Sequence, residues 1–129
     1  MNKREIPQII KDVGFDFNWS EEKVWALDIP TEKMPIEQLT WHFDVPFWWK
    51  PEGFYDLTPN EVMKYPTKYQ RESDRIKKAD LTYPLDIMWW KERWLLLDGL
   101  HRLVKAYLNN MKEVDVRKIP VESIPSIVK

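Results

Sequence analysis

A buried strand that turns within two residues into an amphipathic helix leaves this chain few ways to fold. Four consecutive apolar residues, Trp94-Leu95-Leu96-Leu97, read as a buried strand. Asp98-Gly99 breaks it, and Leu100, Leu103, Val104, Tyr107, Leu108 and Met111 then recur at helical spacing. The turn between the two carries Asp98, Gly99, His101 and Arg102. A first helical turn has amides without intrahelical partners and sits at the positive end of the helix dipole, so it receives anions well. Gly99 lets backbone approach a ligand closely. Arg102 can fork onto phosphate oxygens, and His101 can donate a hydrogen bond or move a proton. Leu100 supplies one of the amides. Lys105, one turn on, either shares the ligand face or is solvated. Asp98 has two roles open to it, capping the helix or giving an oxygen to Mg²⁺, and with a nucleotide bound both can hold.

Asp98-Gly99-Leu100-His101-Arg102, with Leu103, Lys105-Ala106 and then Val114-Asp115-Val116-Arg117-Lys118-Ile119-Pro120, resembles the core of the ParB/sulfiredoxin superfamily. Members share a strand, a Gly-x-His-Arg or Gly-Glu-Arg-Arg turn, a helix and a strand ending near Ile-Pro. The resemblance covers about the last third of the 129 residues and, more loosely, the middle. It implies a nucleotide at the turn: sulfiredoxin uses ATP, ParB partition proteins use CTP, and a related free-serine kinase uses ADP. Two departures stand out. Leu100 occupies the place of sulfiredoxin's catalytic cysteine, and Leu100-His101 replaces the Glu-Arg of the ParB turn.

The rest of the composition sets bounds. A chain of this length makes one domain with one core. Twenty Lys and Arg against 21 Asp and Glu leave a net charge of -1, so no long-range pull toward nucleic acid or an anionic membrane is expected. The chain has no cysteine, which excludes disulfides, thiol catalysis and thiolate metal sites, and fits a cytoplasmic protein. No apolar run near the N-terminus is long enough for a leader or a membrane span, so neither is expected. Eight tryptophans are the oddity. Most read as core or groove walls, and one of Trp89, Trp90 and Trp94 can stack on a base.

In order, residues 1–20 read as an irregular arm that packs on the body and 21–129 as the domain. Residues 23–28 read as a first strand, and 34–39 as a short helix with Pro35 at its first position. Pro46 forbids a regular helix in the aromatic stretch 41–49. Thr58-Pro59-Asn60-Glu61 is a capping box with proline at N1. A second, mostly basic helix is expected over 67–79. Leu85–Trp90 and 93–97 read as a hairpin closed by Lys91-Glu92. Asn109-Asn110 ends the long helix, 114–119 is the last strand, and the tail is irregular.

The expected fold is α+β, a small mixed sheet packed with helices, ParB/sulfiredoxin-like. The expected function is nucleotide or phosphate-ligand binding at 98–102 with ATP, ADP or CTP and Mg²⁺, extending to phosphotransferase or nucleotidase chemistry. The alternative is a non-catalytic protein- or nucleic-acid-interaction module. In a catalytic site His42 and Asp44 are candidates for a base and its orienting partner; in the other reading His42 is a core histidine satisfied by backbone. The basic helix is a solvated face or a nucleic-acid contact. DNA binding is not expected without a separate domain, since no helix-turn-helix follows the core.

Overall fold

In the computed structural model, which describes residues 5–129, the elements are α1 (Gln8–Val13), α2 (Glu21–Trp25), β1 (Thr31–Pro35), two 3₁₀ turns (Ile36–Gln38 and Thr40–Asp44), α3 (Pro59–Lys64), α4 (Gln70–Lys78), β2 (Leu85–Trp90), β3 (Arg93–Asp98), α5 (Leu100–Leu108), β4 (Glu113–Lys118), a 3₁₀ turn (Val121–Ser123) and α6 (Ile124–Ile127). The strands form one mixed sheet in the order β1-β4-β2-β3. β2 pairs antiparallel with β3 and parallel with β4, and β1 pairs antiparallel with β4. This is an α+β domain.

Local chemistry explains the central unit. Lys91 and Glu92 both have positive φ, 50° and 67°, the backbone hand that a two-residue hairpin needs. Gly99 sits at φ 114° as the N-cap of α5, and a Cβ there would meet Leu85 at 2.6 Å. At the other end Asn110 is left-handed at φ 60°. The Asn110 N–H donates to Tyr107 O at 3.0 Å and the Met111 N–H to Ala106 O at 3.1 Å, a Schellman closure. The Thr58–Glu61 capping box forms in both directions.

Both faces of the sheet are covered, which is why β2 and β3 read as apolar runs. Leu85, Ile87, Val114 and Val116 meet Val62, Ile76, Leu103 and Val104 from α3, α4 and α5. On the other face Met88, Leu97 and Ile119 meet Val24 of α2, Ile127 of α6, and Phe15, Phe17 and Trp19. Among the described residues no helix is long and apolar enough to cross a membrane.

Three expectations are corrected. Residues 23–28 are not a strand. Ser20 accepts from the Lys23 N–H, and Glu21 and Glu22 lie in a first turn where the dipole favours acids, so α2 forms instead. The first strand is Thr31–Pro35. Pro35 ends it on the sheet edge, where no inner neighbour needs its missing N–H, and a 3₁₀ turn follows. The arm over 1–20 is not irregular throughout, since it contains α1, while its residues 15–19 do pack on the body; residues 1–4 lie outside the described residues.

One charged pair is built into the second face. Arg117 Nε lies 3.2 Å from Asp86 Oδ1, and both side chains are nearly buried. The two atoms meet off the hydrogen-bond angle, so the contact is an ion pair without an aligned hydrogen bond. Arg117 Nη2 also donates to Val24 O at 2.8 Å, tying β4 to the end of α2. Burial raises the Asp86 carboxyl above its usual range, and Arg117 opposes that. Arg117→Met, which strands Asp86, is expected to cost about 3–5 kcal/mol in urea unfolding, and adding Asp86→Asn should restore a large part of it.

Candidate functional site

The candidate site begins with an unpaired edge. β3 is the outermost strand, so the outward amides and carbonyls of this buried segment need partners. Side chains supply them. Trp41 Nε1 donates to Trp94 O at 3.2 Å, and Trp19 Nε1 donates to Leu97 O at 3.0 Å. The Leu96 N–H donates to His42 Nε2 at 3.1 Å. These bonds hold residues 15–19 and 41–48 along the edge. Between them lies a cleft of about 830 Å³ walled by residues 95–102, Phe15 and Trp48, with Arg75 and Lys78 at its rim. That volume suits a nucleotide-sized ligand.

The turn opens into this cleft. Register shifts at the end of β3, where Ile87 faces Leu96 but Asp86 faces Asp98, and such a bulge re-aims the next side chain. Asp98 Oδ2 accepts from Arg102 Nη2 at 3.0 Å and from Trp25 Nε1 at 2.9 Å. Arg102 Nη1 donates to Pro84 O at 2.7 Å. Asp98 therefore braces Arg102 and does not cap α5: the N-cap is Gly99, with no side-chain bond. The first-turn amides of Leu100, His101 and Arg102 have no capping side chain.

Lys105 is used elsewhere. Its Nζ donates to Lys77 O and Ala79 O, both at 2.8 Å, and closes the C-terminus of α4. Four residues earlier, His101 Nε2 meets Glu72 Oε2 at 2.7 Å in the first turn of α4. These two contacts show α4 and α5 running side by side in the same direction, N-terminus beside N-terminus. The His101 ring also stacks on Trp48, centroids 4.5 Å apart and planes at 17°. Glu72 is only 7% exposed. Burial pushes its carboxyl up, but the His101 hydrogen bond and the charges of His101, Arg75 and Arg71 outweigh it and hold it below its usual value.

His42 lies against the same cleft but is 1% exposed, and both ring nitrogens are in use. Nδ1 lies 2.7 Å from Leu39 O. A carbonyl only accepts, so Nδ1 carries the proton, and Nε2 accepts from Leu96. Burial pushes its pKa down to about 4, the nearby Arg93 charge acting the same way and the Leu39 bond opposing. Neutral His42 is a backbone partner for β3. Asp44 accepts from Asn60 Nδ2 at 2.6 Å and is not in the cleft wall. Among the described residues no three His, Asp or Glu side chains converge on a metal position, and Asp98 is the acid that the turn itself could offer a Mg²⁺.

Sequence reasoning missed Glu72. Its signal was visible: Tyr69, Glu72, Ser73 and Ile76 form one helical stripe, which places an acid on a face whose other members are buried. Comparison of the chain with protein-family models, curated proteins and solved structures finds no match.

The state of His42 has a pH consequence. Its folded pKa lies below the unfolded value, so its contribution to stability is complete above about pH 6.5 and is lost as pH falls toward 4. The loss expected across that window is about 3 kcal/mol. Urea unfolding between pH 7.5 and 4 should show this decline, and His42→Gln should be less stable at pH 7.5 with a shallower decline.

Proposed function

We propose that the chain binds a nucleotide or another phosphate-bearing ligand in the cleft beside β3, with phosphate on the amides of Leu100 and His101. The observation that carries this reading is the meeting of two nine-residue helices, α4 and α5, N-terminus to N-terminus at a cleft of nucleotide size. Two positive dipole ends side by side favour negative charge. Glu72 supplies some of it, and the uncapped amides of α5 are left for a ligand. Arg75 and Lys78 add exposed positive charge at the rim, and Gly99 lets the turn pack against Leu85 and Arg102. Arg102 adds charge while Asp98 and Pro84 fix its position.

The resemblance of residues 98–102 to the ParB/sulfiredoxin turn supports the same reading and makes ATP, ADP and CTP the first ligands to try. Mg²⁺ fits as a partner of the ligand's phosphates, with Asp98 lending a carboxylate oxygen; its chemistry would be neutralisation of phosphate charge. The interaction-module reading draws on exposed aromatic side chains, Trp49 and Trp89 each about half exposed.

Calorimetric titration with ATP, ADP and CTP, with and without Mg²⁺, tests the proposal. One of them should bind, and Arg75→Ala with Lys78→Ala should weaken it about tenfold at low salt, less at high salt. Arg102→Ala should weaken binding and also lower the melting temperature, because the turn loses its brace. Absence of binding by all three nucleotides, or equal affinity in the Arg75/Lys78 double variant, would remove the phosphate role from this cleft.

A further inference from the structure

We propose that His101, oriented by Glu72, is the general base of a hydrolytic activity on a phosphate ester or anhydride held in this cleft. The proposal rests on the phosphate-binding reading and adds a reaction to it. Three observations carry it. The first is the tautomer. Glu72 is held in its ionised form, so its Oε2 accepts and His101 Nε2 carries the proton. The lone pair of the ring is then on Nδ1, for which no partner is found among the described residues. The second is rigidity. The ring is clamped by the 2.7 Å bond on one side and the Trp48 face on another, and its backbone belongs to the first turn of α5. The third is position. His101 is in the cleft wall, and its amide neighbours that of Leu100, where the phosphate would rest.

Burial of Glu72 gives this arrangement its force. An acid that served only as a surface charge would be solvated, whereas Glu72 sits on the buried stripe of α4 with the first-turn dipole behind it. A carboxylate there fixes the imidazole tautomer and stabilises the imidazolium once a proton arrives. The charged groups facing the pair are Arg75, 3.7 Å from Glu72 Oε1, and Arg71 on the same helix. Trp48 stacks on one face of the ring and brings no charge to it.

The step balances without a further reactant. The oxygen of a water forms a bond to phosphorus as the bond to the leaving oxygen breaks. The water's proton passes to His101 Nδ1, and the electron pair of the broken bond leaves on the departing oxygen. For a nucleoside triphosphate the products are the diphosphate and inorganic phosphate. His101 then returns the proton to the leaving oxygen or to solvent. General-base catalysis of this kind contributes about 10²–10⁴-fold.

The experiment follows phosphate release from ATP and CTP by the full chain, with nucleotide binding measured in parallel by calorimetry. Release is expected from whichever nucleotide binds, with a pH–rate profile that falls on its acid side as the base is protonated. His101→Gln should lower kcat at least a hundredfold while affinity changes less than threefold, and added imidazole should restore part of the rate. Glu72→Gln should lower kcat while nucleotide affinity changes less than threefold, a split that a purely structural loss would not give. If Glu72→Gln does not fold, the His101→Gln rate and its imidazole rescue decide alone. Binding without release, or an unchanged rate in His101→Gln, overturns the catalytic role and leaves the binding reading standing. Absence of binding overturns both.

Discussion

An edge strand inside a folded domain carries a row of backbone groups with no strand to pair them, and leaving such groups buried and unpaired costs about 1–3 kcal/mol each. β3 meets this constraint with side chains: two indole N–H donors and one imidazole acceptor. That choice accounts for part of the unusual tryptophan content. It also determines what lies beside the strand. The segments carrying Trp19, Trp41 and His42 must run along β3, and they do so without filling the space between them. The cleft is the gap left by satisfying an edge with side chains spaced along it instead of with a continuous strand.

The second organising contact is the pairing of α4 with α5. Lys105 closes the C-terminus of α4, and Glu72 neutralises the joined N-termini. Each charge sits where the helix dipole favours it. Placing two like-directed helices side by side otherwise sets positive end against positive end. The same geometry that needs Glu72 for stability leaves the amides of α5 facing open space. The structural role and the proposed ligand-binding role therefore draw on one electrostatic feature, and Arg102 shows the same economy: braced by Asp98 and Pro84, it holds the turn and keeps its charge at the cleft.

The two histidines show how environment separates identical side chains. His42 is enclosed, gives Nδ1–H to Leu39 and takes the Leu96 N–H, and burial keeps it neutral. His101 is partly exposed, bonded through Nε2 to a carboxylate, and stacked on an indole. One has both ring nitrogens bonded to backbone, while the other retains a ring nitrogen beside a cleft. The separation comes from the neighbours each ring meets and not from its own sequence context.

Local chemistry by itself determined the strand–turn–helix unit. Four apolar residues, a glycine free to take φ 114° and an asparagine able to take φ 60° leave one reading for residues 94–110. The Thr58 capping box and the hairpin over 85–97 were legible for the same reason, since each depends on residues within a few positions of one another. Residues 23–28 were not legible, because their strand-like run was overruled by a Ser20 cap and two acids just upstream. Tertiary structure alone decided the site. Glu72 and His101 are 29 positions apart, and His42 and Leu96 are 54 apart, so no local pattern could pair them. Only sheet order and helix packing bring such groups within hydrogen-bonding distance, which is why His42 became a backbone acceptor and Lys105 a helix cap, while an acid with no motif of its own became the partner of His101.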